Sequence, residues 1–314
     1  MSSEKVLVVA GPTASGKLAL GISLALALNG EIVSADSMQV YRRMDIGTAK
    51  ATPEERALVP HHMLDVADPS EEYSVSRYVE EAARCCEDIL ARGRLPVIVG
   101  GTGLYMDSLL SGRSFGPRAD DPCLRASLNA KYDSLGVDGI LEELRKVDPE
   151  RAAALHSADR KRIVRALEVW LLTGETITAH DKASRAVPPR YVSLFLSPGF
   201  HNRALLYQRI DARVDDMVSR GLFEEVRSLL ASGVSAEATA MQAIGYKETA
   251  ACLRGSLSPE EAVSRIKQAS RRYAKRQLTW FGRRSDAFRL FYDEEPFPAS
   301  LAEAALPIAK EFLK

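Results

Sequence analysis

The 314-residue chain has only four cysteines, Cys85, Cys86, Cys123 and Cys252, and none of them shares metal-ligand spacing with another. Reduced thiols in a cytosol account for them most simply. Net charge is absent as well, because 42 Lys and Arg balance 42 Asp and Glu. Bulk charge therefore gives no reason to expect a polyanion, and any nucleic-acid surface must be a local asymmetry. No apolar run approaches the ~20 residues that span a bilayer. The most apolar stretch, residues 18–28, has 11 residues and contains Gly21 and Ser23. It has the length of a signal-peptide core but follows a strand and a loop, so the expected location is cytoplasmic. Repeats and low-complexity tracts are missing too. With 46% hydrophobic and 27% charged residues, the chain is neither disordered nor fibrous.

What is present is an alternation of strands and helices. Residues 5–10 (KVLVVA) form a short apolar run closed by Gly11-Pro12, and residues 31–34 (EIVS) and 95–99 (LPVIV) form two more. A helix lies between the first two, and Ser74 caps another that runs to about Ala91. This order predicts an α/β fold with a doubly wound parallel sheet, whose ligands sit at the carboxyl ends of the strands. From about Arg118 to Pro189 only helical periodicity is visible, and then residues 191–196 (YVSLFL) alternate like a strand. The expected organisation is a core of 1–117 and 190–314 with an all-helical insertion at 118–189 and a helical C-terminal half. Within that half, Ser258-Pro259-Glu260-Glu261 reads as a capping box that opens a long helix to about Arg284.

The strongest local signal is Gly11-Pro12-Thr13-Ala14-Ser15-Gly16-Lys17, a phosphate-binding loop between a strand and a helix. Its glycines let backbone amides converge on one anion, the helix adds its positive end, and Lys17 adds a full charge. The next residue departs from the pattern: Leu18 stands where a Ser or Thr hydroxyl ligates Mg²⁺. Magnesium then depends on phosphates, water and one carboxylate. Asp36, at the end of the second strand, is that carboxylate or a general base, the alternative being a helix N-cap. The loop alone fits a small-molecule kinase, whereas a GTPase is excluded because no Asn-Lys-x-Asp occurs.

The stretch Ser34-Ala35-Asp36-Ser37-Met38-Gln39-Val40-Tyr41-Arg42 narrows the choice. With GPTASGK (11–17), IGTAK (46–50), HHMLDV (61–66), GGTGLY (100–105), RIVRALEV (162–169), IGYKE (244–248) and YAKRQLTWF (273–281), the chain resembles the tRNA dimethylallyltransferases, also called tRNA isopentenyltransferases. No zinc-finger extension of the eukaryotic members follows, so the bacterial form is expected. The resemblance implies transfer of a dimethylallyl group from its diphosphate to N6 of the adenosine just 3′ of the anticodon. Asp36 then matches the general base, and Lys17 with residues 11–18 matches the diphosphate cradle. Thr102 matches a residue near the reacting amine. Arg209 and Arg213, four apart on one helix face, are candidates to grip the diphosphate, the alternative being pairing with Asp211 or Asp215. For tRNA, the implied contacts are Asp36, Ser37, Met38, Gln39, Thr102, Arg125, Lys161, Arg162, Ile163, Val164, Arg165, Gln242, Gly245, Tyr246 and Lys247. Gln39 is a candidate to meet the edge of a flipped base.

The local asymmetry lies where such a partner needs it. Residues 258–284 carry eight Lys or Arg against two Glu, an excess that the rest of the chain cancels. Arg265, Arg272, Arg276 and Arg283 follow helical spacing and form a stripe, with Tyr273, Trp280 and Phe281 read as core. His61, His62 and Asp65 are read as structural, since adjacent residues of an extended segment point to opposite faces. Two rivals to prenyl transfer are open at this point: a kinase, and a tRNA-binding protein whose catalysis is impaired by Leu18.

Overall fold

A computed structural model of the chain describes residues 4–112, 121–293 and 300–314. It divides into two compact units, 1–110 with 190–314, and 111–189. The boundary expected at 117/118 lies outside the described residues.

The larger unit is built on six parallel strands: β1 (Lys5–Ala10), β2 (Gly30–Ala35), β3 (His61–His62), β4 (Leu95–Gly100), β5 (Val192–Gly199) and β6 (Ala287–Phe291), in the order β3-β2-β4-β1-β5-β6. β1 lies between β4 and β5, and five of its six residues are buried, which is why it reads as an unbroken apolar run. Its helices are α1 (Lys17–Ala27), α2 (Pro53–Leu58), α3 (Val75–Ala91) and α4 (Gly103–Ser111). The smaller unit supplies α5 (Pro122–Val147), α6 (Pro149–Ala154), α7 (Arg160–Thr173) and α8 (Ile177–Arg185). After β5 the larger unit continues with α9 (Arg203–Ser219), α10 (Leu222–Ala231), α11 (Tyr246–Leu253), α12 (Pro259–Gly282) and α13 (Leu301–Leu313).

Successive strand residues serve opposite faces of the sheet. Leu194 and Leu196 of β5 join Leu7, Val9, Val97 and Val99 in a cluster closed by residues of α1 and α13. Phe195, between them, meets Phe281 of α12 on the other side, with ring centroids 6.0 Å apart. Both faces are covered, as a doubly wound sheet requires. The C-terminal half is not purely helical: β6 pairs with β5 and extends the sheet by one strand. Its sequence, AFRLF, is short and lies at an edge, so only Leu290 is buried.

α12 begins as the capping box predicts. The Ser258 hydroxyl accepts the Glu261 amide, and the Glu261 carboxylate accepts the Ser258 amide. His62 bonds Glu31 through Nε2 at 2.7 Å, and His61 meets the Val59 carbonyl through Nδ1 at 2.9 Å. In the smaller unit, Leu128, Ile140, Leu144, Ile163, Val164 and Leu167 form a core of their own. No helix among the described residues is long and apolar enough to cross a membrane.

Candidate functional site

The loop after β1 turns into α1 at Lys17, with Gly16 as the N-cap at φ 76°. A side chain is strained at that angle, and a Cβ at Gly16 would fall 2.2 Å from the Tyr292 hydroxyl. No side chain caps α1 and no acidic residue sits in its first turn, so the amides that a helix cannot satisfy internally are left for an anion. β4 is drawn equally close to β2, because a Cβ at Gly100 would lie 2.2 Å from the Ala35 carbonyl oxygen. This packing sets Asp36, one residue beyond β2, beside the loop after β1.

Two cavities, of about 270 and 300 Å³, meet there. Both are lined by Lys17, Asp36, Gln39 and Arg213. The first continues along Thr13, Met38, Met217, Ile244, Tyr273 and Arg276, which gives it an apolar floor with polar edges. The second runs past the start of α1, along Ala14, Gly16, Leu18 and Ala19, to Lys50 and His61. The Lys17 pKa is lowered to about 8, chiefly by burial and then by the neighbouring Arg213, while Asp36 opposes them. Burial also lowers the pKa of Arg213, with Asp36 and Asp216 opposing. Two cations held together away from water suit the binding of a polyanion.

The other expected residues fall into place around this centre. The Asp36 carboxylate accepts the Met38 amide at 2.9 Å. Thr102 lines neither cavity; its hydroxyl accepts the Ser37 amide at 3.0 Å and so holds the segment after β2. Arg209 also lies outside both cavities, and its Nε donates to the Ala14 carbonyl at 3.1 Å. Asp211 and Asp215 pair with Arg271 and Lys267 instead of with Arg209 or Arg213. Gln39 is a correction. It donates to the Thr48 and Ala49 carbonyls at 3.1 and 3.3 Å and accepts the Ser34 hydroxyl at 3.0 Å, so its amide fixes the IGTAK segment and is not offered to a base.

Four of the expected RNA contacts are interior. Tyr246 is fully buried with its hydroxyl on Glu225, and Gly245 is buried beside it. Ile163 and Val164 belong to the core of the smaller unit. Around them, Gln242, Lys247, Lys161 and Arg162 are exposed. Arg125 and Arg165 both bind one fully buried carboxylate, Glu168, at 3.0 and 2.8 Å. Arg265 and Arg272 on α12 and Arg283 just past its end are exposed, with side chains that make no hydrogen bond or ion pair among the described residues, while Arg276 lies over the Tyr273 ring. Arg265, Arg272, Arg276 and Lys247 border a shallow groove that shares Ile244 and Arg276 with the first cavity. Of the three aromatics read as core, Phe281 is buried, Tyr273 lines the first cavity, and Trp280 is 43% exposed with its indole N–H on Asp107.

Two residues important to the site were not singled out in the sequence, although Gln277 lies within YAKRQLTWF. Gln277, on α12, accepts the Thr13 amide and donates to the Gly101 carbonyl, both at 2.9 Å, tying the loop after β1 to the loop after β4. Glu225 takes the amides of Asp45, Ile46 and Gly47 on one carboxylate and so shapes the IGTAK turn. Both act across more than 170 positions of sequence.

The donor chemistry tests the expected magnesium. Among the described residues no three His, Cys, Asp or Glu stand together. Asp36 is the one carboxylate common to both cavities, and Leu18 brings no oxygen. The residues do not form a resident magnesium site.

The chain is similar to known proteins over most of its length. The family model described as IPP transferase matches residues 39–285. A tRNA dimethylallyltransferase of Carboxydothermus hydrogenoformans is 48% identical over 281 residues, 90% of each chain. One from Geobacter metallireducens is 47% identical over 288 residues, covering 92% of this chain and 93% of that one. Among solved structures, the full-length tRNA isopentenylpyrophosphate transferase of Bacillus halodurans superposes with TM-score 0.71 at 40% identity, covering 98% of this chain and 96% of that one. A eukaryotic dimethylallyltransferase captured acting on tRNA gives TM-score 0.85 at 32% identity, covering 99% of this chain and 80% of that one.

Proposed function

The chain belongs to the IPP transferase family, and from that premise we propose that it transfers a dimethylallyl group from dimethylallyl diphosphate to N6 of the adenosine on the 3′ side of the tRNA anticodon, releasing diphosphate. The observation that carries this reading is the meeting of two cavities at Lys17, Asp36, Gln39 and Arg213. One cavity begins at an uncapped helix N-terminus and suits a diphosphate. The other, with Met38, Ile244 and Tyr273, suits a flat base turned out of an anticodon loop.

The chemistry follows from those positions. The exocyclic amine of adenine is a weak nucleophile, since its lone pair is delocalised into the ring. As N6 forms its bond to C1 of the prenyl group, Asp36 takes the N6 proton, and the C1–O bond breaks with its electron pair leaving on diphosphate. Lys17, Arg213 and the amides of the loop stabilise the charge that grows on the leaving oxygen. Gln277, Thr102 and Arg209 act one step back by holding the loops that carry these groups. Any Mg²⁺ arriving with the diphosphate would find only the Asp36 carboxylate among the residues common to both cavities, and it would supply added neutralisation of the leaving group's charge. The groove along α12 takes the RNA backbone, with Arg265, Arg272 and Arg276 facing phosphates.

The test incubates the protein with unmodified tRNA and labelled dimethylallyl diphosphate and looks for label in the RNA. Incorporation that disappears in Asp36→Ala is the expected result. Consumption of labelled ATP without RNA would replace the reading by a kinase, and tRNA binding without transfer would replace it by a binding protein.

A further inference from the structure

Leu18 occupies the position whose hydroxyl, in phosphate loops that handle nucleotides, ligates magnesium. In this chain its side chain borders the diphosphate-side cavity and packs against the cluster between the sheet, α1 and α13, so it contributes a wall and no oxygen. The nearby hydroxyl of Ser15 is no substitute, because it is fully buried and lines neither cavity. Asp36 already holds the Met38 amide.

Positive charge, in contrast, is doubled. Arg213 reaches both cavities from α9 and makes no hydrogen bond or ion pair among the described residues. The acids beside it on the helix, Asp211 and Asp215, are committed to Arg271 and Lys267. Asp216 and Asp36 are the acids that act on it. Lys17 stands next to it with its Nζ on the Pro12 carbonyl at 3.3 Å. The N-terminus of α1 adds roughly half a charge more.

Resting on the prenyl-transfer reading, we propose that this chain meets the charge of the departing diphosphate with Lys17 and Arg213, and that Leu18 leaves diphosphate binding independent of a protein-anchored Mg²⁺. The cations are fixed in place before the substrate arrives, so no ion has to be recruited to the loop when the C1–O bond breaks.

Calorimetric titration of inorganic diphosphate into the full chain, Leu18→Thr and Leu18→Val, each in EDTA and in Mg²⁺, tests this. Thr and Val share a shape, so their difference isolates the hydroxyl from repacking. Wild type and Leu18→Val are expected to change affinity by less than about threefold between the two conditions, whereas Leu18→Thr tightens about tenfold with Mg²⁺. Arg213→Gln is expected to weaken binding in EDTA by about tenfold or more. A wild-type affinity that rises about tenfold with Mg²⁺, identical behaviour of Thr and Val, or full affinity of Arg213→Gln in EDTA would each overturn the proposal. Transfer of labelled prenyl group to tRNA, measured in both conditions, separates the two claims. Transfer that depends wholly on Mg²⁺ removes this inference and leaves the reaction standing, and absence of transfer in both conditions removes both.

Discussion

The diphosphate cradle and the outer face of α12 both carry positive charge, and they carry it in opposite ways. In the cradle, Lys17 and Arg213 are drawn out of water, pressed together and served by loops fixed through buried bonds. Along α12 and just past its end the cations repeat closer to the surface, and six of them fall into two groups. Lys267, Arg271 and Arg284 pair with Asp215, Asp211 and Asp107, while Arg265, Arg272 and Arg283 are unpaired among the described residues. A buried charge acts strongly and locally, whereas exposed charges act weakly and add along a surface. Single substitutions should therefore be severe in the cradle and mild on the helix.

The largest effect is expected at Asp36. Asp36→Ala should lower kcat for prenyl transfer by about 10²–10⁴-fold while tRNA retention on filters stays intact. Equal losses in kcat and tRNA affinity would make Asp36 a binding group and blur the contrast. Lys17→Met comes next, with about a 10²-fold loss in kcat/KM for the prenyl donor. In wild type the Lys17 pKa is lowered to about 8, so the ammonium is charged below that pH and lost above it. Diphosphate affinity should fall as pH rises through 8, and Lys17→Met should abolish that fall while leaving the ligand's own titration in place. A fall through pH 8 that persists in the variant assigns the titration to another group.

A middle-sized effect belongs to Gln277, which joins the two regions because it lies on α12 and bonds into the cradle. Gln277→Leu would leave the Thr13 amide without its partner and the Gly101 carbonyl with only the Tyr273 hydroxyl at 3.5 Å, costing about 1–3 kcal/mol for a group left unpaired and buried. The loop should loosen, giving about a tenfold higher KM for the donor with tRNA affinity little changed. Donor kinetics and thermal melting, measured together, separate a misplaced loop from a lost fold.

Gln277 also marks the limit of what one sequence makes legible. The strand-loop-helix of residues 5–27, the capping box of α12 and the helical content of the smaller unit are local: their signals lie within a few residues of the structure they specify. Burial depth on a helix is not local. Arg209 and Arg213 share a face by spacing, yet only Arg213 reaches the cavities, because Arg209 is stopped by the Ala14 carbonyl. Tyr246, Ile163 and Val164 sit in motifs that resemble RNA contacts, and the structure uses them as core between the exposed cations. β6 and α13 escaped for other reasons. β6 buries one residue of five, and α13 carries Pro307 inside its span.

The smallest effects are expected on α12, and they test whether pairing, more than position, decides what a cation contributes. Arg272→Ala removes a charge with no partner among the described residues. It should weaken tRNA binding severalfold at moderate salt and lower the slope of log K against log salt by about 0.7–1, as one lost phosphate contact does. Lys267→Ala removes a cation whose Nζ lies 2.7 Å from Asp215 on the same helix's neighbour α9. Its charge is already answered, so the slope should hold to within a few tenths even though the affinity is free to drift with the bared carboxylate. Equal slope changes in the two variants would mean that RNA displaces Asp215 and recruits Lys267. The phosphate path would then extend past the unpaired stripe, and the division of α12 into a bonded face and an RNA-facing one would fail.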